Sequence, residues 1–329
     1  MKFAAISCEM SVEKDIKYCA VIRTLGRAGA KYQALLDSLV GQTLPPSRIL
    51  VYLAEGYDAP RETVGVERIV RCPKGMIAQR ALPFDEVDTD YILFLDDDIA
   101  IAPDGVERLA RAMLGAEADC AFADFYALHS LSAGQKFRLW LEKGDRQTSD
   151  RRWAYRECRS SATAYCAAPE QVMPSQTGCG GAILCSKAAY RAIDFCEECW
   201  ADAFGYPLGE DHLFLYKMYV RGFKVVAQFD SGFTHLDASA DRPVDFAAEC
   251  NRLAVLHCVW YRCHYHRQPA AKRIADGFFY GILSAKQISL RAALALRRLS
   301  IRPLSVYFAA IRSARRIVDS DEFSRLPRF

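Results

Sequence analysis

The sequence lacks an apolar run of the roughly 18–20 residues that a bilayer-spanning helix requires. Its first residues, MKFAAISCEMSVEKD, hold only a short apolar stretch before Glu9. That is less than the about 7–15 residues of a secretory core, so a cytoplasmic location is expected. There is no second CxxC motif to join Cys196 and Cys199. A four-thiolate zinc site is therefore not expected, and the 13 cysteines read as reduced thiols. Net charge is only +3, which argues against a general polyanion binder, and no nucleic-acid recognition motif is present. No internal repeat or low-complexity segment is apparent. One local lack is sharper: between Arg267 and Arg316, 11 Lys and Arg face a single acid, Asp276.

What is there begins with apolar content. Of 329 residues, 51% are hydrophobic, enough for a sizeable core in one large domain or two intimate halves. CAVIRT (Cys19–Thr24) reads as a buried strand. YQALLDSLV (Tyr32–Val40) places Leu35, Leu36, Leu39 and Val40 on one helix face. RILVYL (Arg48–Leu53) and Arg68–Arg71 read as further strands, and Ala78–Val87 as a helix. YILFL (Tyr91–Leu95) has no polar alternation, as expected of a parallel strand buried on both faces. A helix follows Pro103, and Ala121–Phe125 is another strand. This alternation predicts a doubly wound α/β layer, with ligands at the carboxyl ends of its strands. Gln135–Arg159, basic with interleaved aromatics, reads as a long, partly mobile excursion. Ala182–Cys185 reads as a strand, followed by a helix from Ser186. A helix opens at Glu210 and stops at Gly222, a strand spans Phe223–Phe229, and the tail from about Asp245 is mostly helical.

Three carboxylates, Asp96, Asp97 and Asp98, follow the YILFL run directly. Adjacent like charges repel, and one Asp would suffice to cap a turn. A hard divalent cation explains the trio better, because Mg²⁺ and Mn²⁺ take one or two carboxylates together with substrate phosphates. In GEDH (Gly209–His212), Glu210 and Asp211 complement a helix N-terminus. A carboxylate there can also serve as a general base facing a cleft, and Asp211 is the choice. His235, after the last strand, is by itself more often structural than a ligand; it gains value as a third position beside the aspartates.

The order VIRTLGR, LLDSLVGQTLPPSRILV, YILFLDDDIAIAPDGVERL, TGCGGAILCSK, GEDHLFLYKMYVRGFKV and then His235 resembles the inverting glycosyltransferases of family 2. The likeness runs over roughly Cys19–Ala238. It implies a GT-A fold: a Rossmann-like, mostly parallel central sheet flanked by helices, here with a helical basic C-terminal extension. The implied organisation is an N-terminal extension (1–18), a nucleotide-sugar half (19–125), an acceptor-binding and catalytic half (126–244) and the helical extension (245–329). The resemblance implies a Mn²⁺ or Mg²⁺ ion at Asp96, Asp98 and His235. It implies donor contacts from Thr24, Arg27, Glu55, Arg80, Asp96 and Asp97. Gly180, Gly181 and Trp153 would serve the acceptor or sugar, and Asp211 with Glu210 the catalysis. The partners implied are a nucleotide-diphosphate sugar and a glycan or lipid-linked glycan. The basic amphipathic stretch 267–316 suits an anionic membrane surface at the inner face of the cell membrane. LAEGYD keeps one acid, Glu55, where the family commonly has two, and IAQR replaces its A-R-N, so uridine is not assumed. A sugar-nucleotide pyrophosphorylase would need a Gly-rich basic loop after the first strand, which LGRAG matches poorly. A non-catalytic protein on a degenerate transferase fold is the remaining alternative.

Overall fold

A computed structural model describes residues 16–125, 128–205, 209–236 and 245–329. Most of the segment expected as an N-terminal extension lies outside them, as does Ala238. The chain runs β1 (Tyr18–Thr24), α1 (Ala30–Val40), β2 (Arg48–Ala54), β3 (Glu67–Cys72), α2 (Met76–Arg80), β4 (Tyr91–Asp96), β5 (Ile99–Ile101), α3 (Gly105–Gly115) and β6 (Cys120–Ala123). It continues through α4 (Ala133–Glu142), β7 (Arg146–Thr148), β8 (Tyr155–Glu157), β9 (Thr163–Cys166), β10 (Val172–Pro174), β11 (Ala182–Ser186) and α5 (Lys187–Ala192). After a 3-10 segment at Phe195–Phe204 come α6 (Glu210–Val220), β12 (Val225–Gln228) and β13 (Phe233–His235). The C-terminal helices are α7 (Phe246–Trp260), α8 (Ala270–Arg298), α9 (Arg302–Val318) and α10 (Asp321–Arg325).

The main sheet has the order β10-β12-β6-β11-β4-β1-β2-β3. β3, β2, β1 and β4 are mutually parallel, and β11 is the antiparallel strand that joins them to β6 and β12. The missing polar alternation in β1 and β4 now has its cause. Cys19, Val21, Ile92 and Phe94 enter the core on one face, while Ala20, Ile22, Leu93 and Leu95 enter the core on the other, beneath α1 and α3. Both faces are covered, so every residue of these strands except the terminal ones is apolar or paired. β5 and β13 form a separate two-stranded ribbon past the end of β4.

Two expectations differ from the structure. The helix expected over Ala78–Val87 ends at Arg80. Pro83 disfavours a helical Leu82, and Phe84 turns to φ 47° to drop its ring into the core between Tyr52, Phe94 and Tyr190. The basic excursion 135–159 is regular structure over much of its length. Ser132 and Gln135 close a capping box on α4, and β7, β9 and β8 form a small sheet of their own.

The C-terminal helices join the core on the face of the main sheet that carries Cys19, Val21, Ile92 and Phe94. Ala254 and Cys258 of α7 share the core with Ala310 and Ala314 of α9, and these small side chains allow close approach: Cys258 Sγ lies 3.7 Å from the Ala314 carbonyl, and Cys250 Sγ 3.5 Å from the Val306 carbonyl. The described cysteines are free thiols, most of them buried, and Cys196 and Cys199 are exposed. No helix among the described residues is long and apolar enough to cross a membrane.

Candidate active site

The candidate site lies where β1 and β4 end together. Register places Arg23 beside Asp96, and the guanidinium Nη2 donates to Asp96 Oδ1 at 2.9 Å. The other nitrogen, Nη1, donates to Glu210 Oε1 at 3.3 Å and to the Met76 carbonyl at 3.3 Å. Arg80 approaches Glu210 from α2: Nη2 is 2.8 Å from Oε1, and Nε meets Oε2. Arg80 is wholly buried and Glu210 nearly so. Burial would raise the Glu210 pKa, but Arg80 and then Arg23 overcome it and hold the carboxyl below its ordinary range.

This geometry pairs two of the expected site residues with each other. Arg80 is a buried counter-ion of Glu210; its Nη2 also donates to the Gly180 carbonyl at 3.4 Å, and its Nη1 has no partner among the described residues. Glu210 is anchored between two arginines, with Oε1 bonded to both and Oε2 to Arg80 Nε. Arg23 escaped the sequence reading. Its signal was an arginine inside an otherwise apolar strand, which folds only if its charge is answered.

Asp211, the next residue, is different. Among the described residues its carboxylate has no side-chain partner, and its pKa is raised, first by burial and then by the Glu210 charge. Gly180 permits its position: a Cβ on Gly180 would stand 2.1 Å from Asp211 Cβ. Gly181 leaves space for the Phe125 ring, 2.9 Å from where its Cβ would be, and its carbonyl accepts from the Asp96 amide at 3.0 Å. The glycine loop therefore lies between Asp96 and Asp211.

The three aspartates diverge. Asp96 turns to Arg23. Asp97 accepts from the Thr24 hydroxyl, and burial followed by the charges of Asp98 and Asp96 pushes it up to about 6 against the lowering bond from Thr24. Asp98 faces His235, with Oδ1 and Nε2 3.4 Å apart, because β13 pairs with β5 and sets His235 opposite Ile99. Among the described residues no group of three or more His, Cys, Asp or Glu converges as a metal site. Asp98 and His235 remain as one carboxylate and one imidazole, both partly open to solvent. That donor set suits a hard cation that completes its shell with phosphate and water.

The other expected residues lie on separate elements. Arg27 lies over the Tyr57 ring, 4.8 Å from its centroid, in the exposed loop after β1. Glu55 is exposed at the end of β2, its amide bonded to the Cys72 carbonyl at 2.8 Å. Trp153 packs edge-on against Tyr219, near the C-terminal end of α6.

His212 was quoted within GEDH without a role. Its Nε2 lies 2.8 Å from Glu157 Oε2. Glu157 Oε1 meets His264 Nε2 at 3.0 Å, and His264 Nδ1 meets Asp276 Oδ2 at 3.0 Å. Burial opposes ionisation of Glu157, yet His212 and His264 bring it down to about 2, and the Glu157 charge raises His212 against its own desolvation. The helix that carries Asp211 is thereby tied through β8 to α8.

A parallel sheet half with acids at its strand ends, an antiparallel β11 and an acidic α6 start define a GT-A-type fold. Residues 33–141 match the family model described as Glycosyl transferase family 2. Over that third of the chain the sequence is similar to that family. A crystal structure of GalNAc-T7 with UDP, GalNAc and Mn²⁺ is similar at 12% identity and a TM-score of 0.47, covering 80% of this chain and 55% of that one. This chain thus spans about half the length of that protein. No curated protein sequence matches this chain.

Proposed function

We propose that the protein is a metal-dependent inverting glycosyltransferase that moves a sugar from a nucleotide-diphosphate sugar to a hydroxyl of a glycan or lipid-linked glycan. The observation that carries this reading is the split between adjacent acids. Glu210 is neutralised by two arginines, while Asp211 is left with a raised pKa beside a loop stripped of side chains. Asp211 accepts the proton of the attacking hydroxyl, and its raised pKa makes the carboxylate a stronger base. The Gly180–Gly181 backbone lets the sugar approach Asp211 closely. Thr24 and Asp97, joined by a hydrogen bond, line the donor side together with Arg27 and Glu55. Asp98 and His235 would hold the cation, which when bound supplies positive charge to the departing diphosphate. Attack from the Asp211 side, opposite the departing nucleotide, inverts the anomeric centre in one displacement. The basic helices over 267–316 rest on an anionic membrane surface, which suits a lipid-linked acceptor.

A thermal-shift screen of nucleotide sugars with Mn²⁺ tests the reading and identifies the donor. One nucleotide sugar is expected to raise the melting temperature only when Mn²⁺ is present, and EDTA is expected to abolish transfer from it. Transfer at full rate in chelator would remove the metal from the account.

A further inference from the structure

The turn that joins α8 to α9 carries the most exposed large apolar side chains of the described residues. Leu299 is 94% exposed, Ile301 80% and Leu296 78%. Single exposed apolar residues are ordinary, but three on one turn form a patch. The turn is held by hydrogen bonds. The Leu299 amide donates to the Leu296 carbonyl at 3.2 Å, and the Ser300 amide to the Ala295 carbonyl at 3.0 Å. The Ser300 hydroxyl accepts from the Arg302 amide at 3.3 Å, and Pro303 lies in the first turn of α9. This closure puts Leu299 at φ 48° and ψ 42°, the left-handed conformation that glycine commonly supplies where a helix ends. An almost wholly exposed Leu299 gains nothing from packing, so the fold does not account for a leucine there.

The charge around the patch indicates what covers it. Arg297, Arg298 and Arg302 interleave with the three aliphatic residues and are exposed like them. Among the described residues none of the three has a carboxylate within 4.0 Å. Asp276, the single acid of 267–316, lies near the other end of α8 and is turned inward to His264 and Lys272. A second copy of the chain docked turn to turn about a twofold axis would set these arginines against their own copies, which like-charge repulsion opposes. A soluble anion would meet the arginines and leave the aliphatic side chains in water. An anionic membrane surface answers both: guanidinium groups meet lipid phosphates, and the aliphatic groups between them enter the acyl boundary.

We infer that the α8–α9 turn is the part of the protein that inserts into an anionic lipid surface, with Leu296, Leu299 and Ile301 below the headgroups and Arg297, Arg298 and Arg302 among the lipid phosphates. The inference rests on the reading of 267–316 as the membrane-facing surface and names the segment that makes the contact. The left-handed backbone at Leu299 holds its side chain outward for that purpose.

The test is flotation of the full chain with phosphatidylcholine vesicles, with and without phosphatidylglycerol. The wild type is expected to float with the mixed vesicles and not with phosphatidylcholine alone. Leu299→Gly removes one aliphatic group and relaxes the backbone, so it is expected to weaken partitioning about tenfold while melting no lower than the wild type. Arg297→Gln with Arg298→Gln is expected to weaken partitioning roughly 30-fold. Leu299→Trp is expected to float, with its added tryptophan emission shifted to the blue on the mixed vesicles. If the wild type fails to float, the membrane reading itself is wrong, and the inference falls with it. If the wild type floats and Leu299→Gly partitions equally well, another part of 267–316 makes the contact and only the inference fails. Unshifted emission from a floating Leu299→Trp would place the turn in water and overturn it too. If vesicles retain nothing and Leu299→Gly converts a dimer to a monomer by light scattering, the turn is a contact between copies and the inference fails.

Discussion

At the strand ends, Arg23 and Arg80 both bond Glu210, and Arg23 also bonds Asp96 at 2.9 Å. In α9, Arg312 and Arg315 meet no carboxylate within 4.0 Å among the described residues. The first region buries its cations and must answer each one, because an unpaired buried charge is costly. The second keeps its cations in water, where they cost little and stay available to an outside anion. The same contrast recurs within one turn of α6, where Glu210 is answered and Asp211 is not. On the proposed reading, answered charges set the scaffold and the unanswered Asp211 receives a proton.

The comparison can be broken most sharply at Arg80. Arg80→Ala leaves Glu210 with Arg23 alone and opens a void against Phe214, over whose ring the guanidinium lies. A loss of about 3–5 kcal/mol is expected from the midpoint of urea unfolding. Arg312→Ala is expected to change that midpoint by less than about 0.5 kcal/mol, as exposed positions do. Equal losses at the two sites would dissolve the distinction.

Glu157→Gln probes the link from α6 to α8. The folded pKa of Glu157, about 2, lies below the ordinary glutamate value of 4.5. The carboxylate therefore contributes stability that is present above pH about 4.5 and is lost as pH falls through about 2, in total about 3 kcal/mol. His212 has the opposite sign: its pKa is raised, so its share is present below pH 6.5 and is lost as pH rises through the folded value. The Gln variant is expected to be less stable at pH 6 and to show a flatter acid limb. An unchanged acid limb would mean that the chain of side chains from His212 to Asp276 is not held together by charge. The smallest effect is expected at Ser132, where Ser132→Ala removes the α4 cap for about 1 kcal/mol and touches neither region.

Much of this was legible in the order of residues. YILFLDDD reads as a doubly buried strand ending in acids because apolar runs and charge clusters are local features. GEDH reads as a helix start for the same reason, and Gly180 and Gly181 as a place of close approach. What was not legible depended on contacts distant in sequence. Arg80 is 130 residues from Glu210, so nothing local distinguished a buried counter-ion from a phosphate-binding arm. Arg23 was visible as a charge in a strand, but its two carboxylate partners come from β4 and α6. Trp153 suggested a sugar platform by composition, yet its ring is held by Tyr219 at the far end of α6. The short α2 shows a local rule missed: Pro83 was enough to end it.

Asp211→Asn tests the central claim most directly, because it changes the unanswered acid and leaves Glu210, Arg23 and Arg80 in place. Transfer to acceptor from the nucleotide sugar identified in the binding screen is expected to fall by about 10²–10⁴. The melting temperature and the Mn²⁺-dependent shift with that donor are expected to stay near wild type. Near-normal turnover in the variant would contradict the assignment of Asp211 as the base.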